Sequence, residues 1–125
     1  MSKIQEFLKN QEKSVMSNVE GKTIIDYFNN NAEEVPEYPA LNTPINSEYT
    51  GWDSVSWSAY REIVHNLASG LIDIGLQAED NAFIVANNVK EHFICDLGIM
   101  HAGAVPSTIY KQLKSGQIEY ISCLL

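Results

Sequence analysis

The densest apolar periodicity runs through "SWSAYREIVHNLASGLIDIG", residues 56–75. Trp57, Tyr60, Val64, Leu67, Leu71 and Ile74 recur there at alternating steps of three and four. That spacing predicts a helix with one buried stripe. Ser56 or Ser58 can cap its start, and Gly75 is placed to close it in a left-handed conformation. The next run, "NAFIVANN", is apolar without strict alternation. It predicts a short strand covered on both faces. Glu91 to Ala102 reads as a second helix and "AVPSTIY" as the following strand. A third helical segment starts at Ser115 or Gly116, with Ile118, Ile121 and Leu125 in line. Strand, helix and strand over this distance predict a βαβ unit with parallel strands and a right-handed crossover.

Upstream, Ser2 to Met16 can form an amphipathic helix with Ile4, Phe7 and Leu8 on one side. It lies outside the denser pattern and is expected to be a loosely docked arm. In "GKTIIDYFNNNAEEVPEY" Thr23 is a plausible N-cap with Asp26 as its capping-box partner, and Pro36 stops the helix. From Pro39 to Trp57 the period changes. Two short extended pieces flank "NSEYTG", which predicts a hairpin with Leu41 and Ile45 on one arm and Trp52 and Val55 on the other. The prolines make its first arm an edge. There is no internal repeat. The fold class is α/β: an N-terminal hairpin plus a βαβ unit.

Charge narrows the partners. The net charge of −8 argues against a nucleic-acid grip and against adhesion to anionic lipid through a basic patch. The imbalance sits in the middle, where residues 36–80 carry 7 acidic side chains and Arg61 alone as a base. A solvated acidic surface explains it better than a docking face. Cys95 and Cys123 have no metal-ligand spacing, and the opening residues are too polar for an export core. Free thiols in a reducing cytoplasm are expected. No run approaches the ~20 apolar residues of a membrane span.

Candidate chemistry is thin. Gly98 and Gly103 have the glycine spacing of a phosphate loop, but Ala104 and Val105 replace its Lys and Ser/Thr, and here a helix runs into a strand. The plainer expectation is that Gly98 lets the helix pack on the sheet and Gly103 ends it. Glu91, His92, Cys95 and Asp96 cluster on one helix, but zinc needs three or four ligands converging from several elements. A solvent-facing His92–Asp96 pair and a buried Cys95 are expected instead; a small zinc protein using His92, Cys95 and His101 is the remote alternative. Ser107, His101 and Asp96 are triad residue types without a nucleophile elbow. Glu33–Glu34 and Glu79–Asp80 are adjacent carboxylates that point apart. Tyr110 follows a strand end, where α/β proteins place ligands; a buried tyrosine with a satisfied hydroxyl is the commoner reading.

The stretch from Gly51 to Ile121 resembles the N-terminal part of the AMP-forming acyl-CoA synthetases, most of all the long-chain fatty-acid–CoA ligases. Trp52 and the pair Ser56–Trp57 look like that branch's paired tryptophans. Tyr60, Ala68, Gly70, Leu71 and Gly75 match its first helix, and Asp80 its Gly-Asp step. Asn88, Glu91 and Asp96 match its "Asn-x-x-Glu-x-x-x-x-Asp" helix. Gly103, Ala104, Pro106, Tyr110, Gln117, Ile118 and Tyr120 match the family pattern downstream of that helix. The likeness reaches back to Thr23 more weakly. Three departures stand out. Glu79 occupies a position where the family prefers Gly, His92 replaces an aromatic, and Lys111–Gln112 replace Pro-Thr.

The resemblance implies a two-step ligase: fatty acid and ATP, with Mg²⁺, give an acyl-adenylate and pyrophosphate, and CoA then displaces AMP. The family's phosphate loop, pockets and catalytic lysine lie after the matched region. No catalytic, cofactor-binding or metal residue is therefore carried over, and neither ATP, CoA nor Mg²⁺ is expected to bind this chain alone. The expected organisation is an arm over residues 1–20 and, over 21–125, an incomplete N-terminal subdomain of an AMP-binding domain. The expected role is a ligase fragment, inactive alone, cytoplasmic or membrane-peripheral in the whole enzyme, with the rest of the ligase as partner. The alternative is a non-enzymatic binding or homodimerisation module.

Overall fold

The computed structural model describes residues 2–124. Helix α1 (Lys3–Val19) is followed by α2 (Ile24–Glu34) and by an antiparallel hairpin of β1 (Pro39–Pro44) and β2 (Trp52–Ser56). Next come α3 (Trp57–Asp73), β3 (Asn81–Ile84), α4 (Lys90–His101), β4 (Val105–Thr108) and α5 (Ser115–Leu124). Strands β3 and β4 pair in parallel, Asn81 opposite Val105 through Ile84 opposite Thr108. Hairpin and parallel pair form two separate two-stranded sheets. The α/β class, the hairpin and the βαβ unit are those expected.

Local signals explain most boundaries. Thr23 and Asp26 form a reciprocal capping box at the start of α2. The first turn of α3 needs acceptors for its free N–H groups. Trp57 N–H donates to the Tyr38 carbonyl (3.0 Å) and Ser58 N–H to the Pro36 carbonyl (2.9 Å). Ala59 N–H donates to Ser56 Oγ (3.3 Å). The turn before the hairpin thereby docks onto the helix that follows it. Gly75 closes α3 at φ 106° and Gly103 closes α4 at φ 81°. The Leu76 and Ala104 N–H groups reach back to the Leu71 and Ile99 carbonyls (3.0 and 3.1 Å), a Schellman-type ending.

Two small cores result. Phe28, Tyr60 and Val64 form the first, with Leu41, Val55, Trp57, Ile94 and Leu97 around them. Ile84, Ile99 and Ala104 form the second, under Leu71, Leu76 and Ala82. Phe28 meets Tyr60 and Trp57 edge-on, at 5.0 and 5.9 Å between centroids.

Several expectations are corrected here. The α3 stripe ends at Leu71, because Ile74 is the cap residue beyond the last turn and is 83% exposed. Ile45 and Trp52 are exposed; Ile45 belongs to the hairpin loop, and Trp52 is tilted against Tyr49 at its mouth. Strand β3 is not covered on both faces, since Phe83 and Val85 are exposed. Gly98 faces Leu67 of α3 rather than the sheet. Cys95 is half-buried. Helices α1 and α5 bury no residue. Ile118 and Ile121 are half-buried, and Leu125 lies outside the described residues.

Candidate functional site

In a parallel sheet, polar groups collect beyond the carboxyl ends of the strands. Strands β3 and β4 both end at an open pocket of about 370 Å³ bordered by Asn87, Asn88, His92, Thr108, Tyr110 and Lys111. Helix α4 starts beside it, and His92 on its first turn reaches across to Thr108, with Nε2 2.9 Å from Oγ1. The expected His92–Asp96 pair is thus replaced by a helix-to-strand hydrogen bond. Tyr110 is 73% exposed and not the buried tyrosine of the commoner expectation. With Gln112 beside them, three carboxamides, an imidazole, a phenol and one ammonium can orient a polar or anionic group. No activated nucleophile stands among them.

The other candidates are structural. His101 Nδ1 faces the Leu97 carbonyl at 2.8 Å and not a carboxylate, so His101, Asp96 and Ser107 form no relay. Asp96 acts on Tyr60: burial first, then the Asp96 charge, push its hydroxyl up to about 12. Glu33 pairs with Arg61 at 3.7 Å. Asp80 Oδ2 accepts the Gln77 N–H at 2.8 Å, and Glu79 sits in a left-handed turn at φ 70°. Glu33 is thus committed to an ion pair and Glu79–Asp80 to a turn. Lys90 pairs with Asp53, which joins α4 to the hairpin; the Asp53 hydrogen bond raises the lysine's pKa.

Fit to a nucleotide can be tested on these residues. Among the described residues no Ser/Thr/Gly-rich loop stands at a helix start, and no group of three His, Cys, Asp or Glu side chains could hold a metal. They do not fit a triphosphate with its Mg²⁺. Sequence reasoning passed over Asn87 and His65 and touched Lys111 only as a departure from the family pattern. The strand-end rule would have flagged Asn87 and Lys111, whereas His65 lies beside the α3 stripe with no motif around it.

Comparison with known proteins agrees with this geometry. A family model described as "AMP-binding enzyme" matches residues 28–123. The long-chain-fatty-acid–CoA ligase heimdall of Drosophila melanogaster is 28% identical over 110 residues, which is 86% of this chain and 16% of that protein. The vibriobactin-specific 2,3-dihydroxybenzoate-AMP ligase of Vibrio cholerae is 29% identical over 101 residues, 79% of this chain and 17% of that protein. The chain therefore spans about a sixth of these relatives. Among solved structures, the N-terminal subdomain of Klebsiella oxytoca NpsA superposes with a TM-score of 0.69 at 20% identity, covering 80% of this chain and 24% of that one. At that identity the likeness concerns the fold.

Proposed function

Because the chain belongs to the AMP-binding enzyme family, we propose that it forms the first layers of the N-terminal domain of a fatty-acid–CoA ligase. Adenylation and thioester formation then belong to the longer enzyme, which uses ATP, Mg²⁺ and CoA. One observation carries this reading: the family match extends from within α2 into α5, and in it Asp26 and Asp80 serve a cap and a turn while Glu33 and Lys90 form ion pairs. Residues 1–20 are the arm and 21–125 the partial subdomain. Tyr110 and Lys111 border the pocket at the strand ends; they are the groups placed to meet a ligand held by the rest of the enzyme. The family likeness to both a fatty-acid and an aromatic-acid ligase leaves the acyl group to experiment. Free thiols at Cys95 and Cys123 suit a cytoplasmic address. Among the described residues no helix is long and apolar enough to cross a membrane.

The test is ATP–pyrophosphate exchange by the purified 125-residue chain with palmitate, and in parallel with 2,3-dihydroxybenzoate. No exchange above background is expected. Clear exchange with either acid overturns the scaffold reading. Reading the gene past the Leu125 codon completes the test: a frame that continues into a Ser/Thr/Gly-rich loop supports it.

A second reading rests on an apolar groove of about 300 Å³ along β3, lined by Leu67, Leu71, Phe83, Val85 and Ile99. If the chain acts as a dimerisation module instead, this face is its interface. Sedimentation equilibrium would then give a dimer, and a monomer would count against it.

A further inference from the structure

The parallel pair has two outer edges, and they differ. Val105 N–H donates to the Asp80 carbonyl (2.8 Å) and Ile109 N–H to the Ile84 carbonyl (2.9 Å). In a parallel ladder alternate residues of a strand bond to opposite sides. Phe83 and Val85 therefore turn their backbone groups away from β4, and Pro106 and Thr108 turn theirs away from β3. Proline has no N–H to offer, so the β4 edge is blunted. Edges that stay in solvent are protected by charge, proline or a bulge. Of the four described strands, β1 carries Pro39 and Pro44, β2 Asp53 and β4 Pro106. Strand β3 carries neither proline nor charge, and residues 81–89 are uncharged throughout. Among the described residues no strand pairs with its outer edge.

The side chains beside that edge suit a further strand. The apolar groove of about 300 Å³ follows β3, walled by Leu67 and Leu71 of α3 and by Cys95 and Ile99 of α4. No β4 residue is among those lining it, so it opens on the unpaired side. Phe83 and Val85 stand exposed beside it. Strands of parallel sheets read as apolar runs because both faces are covered. Strand β3 has that composition and lacks the cover. We propose that the β3 edge and this groove form the docking site for one short apolar strand from the rest of the ligase, which makes β3 an interior strand. Main-chain bonds at Phe83 and Val85 hold the incoming strand, and the groove selects aliphatic or aromatic side chains at its alternate positions.

The inference rests on the ligase reading. The chain spans about a sixth of its relatives, so on that reading most of the enzyme is available to supply the strand. The helices α1 and α5 of this chain bury no residue and lie outside the groove. A second copy fits less well. Pairing β3 with itself joins two four-residue strands and brings together two chains of net charge −8, whose repulsion opposes the contact.

Hydrogen exchange read by mass spectrometry tests it, on the 125-residue chain and on the longer product read past the Leu125 codon. The Phe83 and Val85 amides should exchange about a hundredfold or more slowly in the longer enzyme than in the chain alone. Val85→Pro removes an outward N–H and spares the β3–β4 bonds. It should leave the urea midpoint of the 125-residue chain nearly unchanged and lower the melting temperature of the longer enzyme. Equal hydrogen exchange at Phe83 and Val85 in the two proteins, where the longer one catalyses ATP–pyrophosphate exchange, overturns the inference and leaves the ligase reading standing. A frame that stops at Leu125 removes the ligase reading and this inference with it. Protection of the same amides in the 125-residue chain that rises with its concentration assigns the edge to a second copy and also overturns the proposal.

Discussion

Gly98 of α4 lies directly over the Leu67 side chain of α3: a methyl group on Gly98 would stand 2.7 Å from Leu67 Cδ2, 2.9 Å from Cγ and 3.3 Å from Cβ. The two helices approach this closely because position 98 has no side chain. Gly98→Ala gains up to about 1 kcal/mol of helix propensity. Overpacking costs about 1–3 kcal/mol, and the clash reaches past the flexible tip of Leu67 to its stem. A net loss of about 1–2 kcal/mol is expected, read as a lower urea midpoint with unchanged slope. A midpoint at or above that of the unsubstituted chain would show that α3 and α4 can move apart freely.

Val64 is completely buried, while Ile74 is 83% exposed although both belong to the same sequence stripe. Val64→Ala removes two methyl-sized groups from the first core and leaves a cavity. It should cost about 2 kcal/mol. Ile74→Ala should change stability by less than about 0.5 kcal/mol. Equal effects at the two positions would mean that the C-terminal end of α3 is covered in solution.

The contrast between these two residues shows what the sequence could express. Periodicity located α3, α4 and both parallel strands because each of those signals is local: a repeat, a cap, a closing glycine. It could not say where a stripe stops being covered, since that depends on which element lies opposite. Ile74 and Phe83 continue the apolar pattern, but both stay exposed among the described residues. The same limit applied to the strand-end pocket. Tyr110 was legible as the residue after a strand, whereas the reach of His92 to Thr108 exists only once β4 lies beside the start of α4. His65 and His101 are 36 residues apart in the chain and meet only when α3 and α4 pack.

The α2 capping box should leave a signature in acid. Asp26 Oδ2 accepts the Thr23 backbone N–H at 2.7 Å and the Thr23 hydroxyl at 2.8 Å. These bonds, the backbone one first, hold its carboxyl below the ordinary 3.8. The folded state therefore binds fewer protons at this site than the unfolded chain. The contribution is fully present above the unfolded value and is lost as pH falls through the lowered folded one. Urea midpoints between about pH 6 and pH 2 should fall less steeply in Asp26→Asn than in the unsubstituted chain, with the curves diverging above the acid limb. Parallel curves would mean that the box does not persist in solution.

Glu79 turns the chain from α3 into β3 with φ at 70°, and its N–H donates to the Gly103 carbonyl at 2.8 Å. A side chain in the left-handed region costs about 1–2 kcal/mol. Glycine would relieve that strain and keep the N–H, but it adds about 0.5–1 kcal/mol of backbone entropy loss on folding. Glu79→Gly should therefore stabilise the chain by about 0.5–1 kcal/mol. Removing an acidic group from a chain of net charge −8 could mimic this effect through relief of repulsion. Glu79→Ala separates the two causes, since it loses the same charge and keeps the strained Cβ. A urea midpoint raised by Glu79→Gly alone assigns the gain to the backbone; equal rises in both variants would assign it to charge and remove strain from the account.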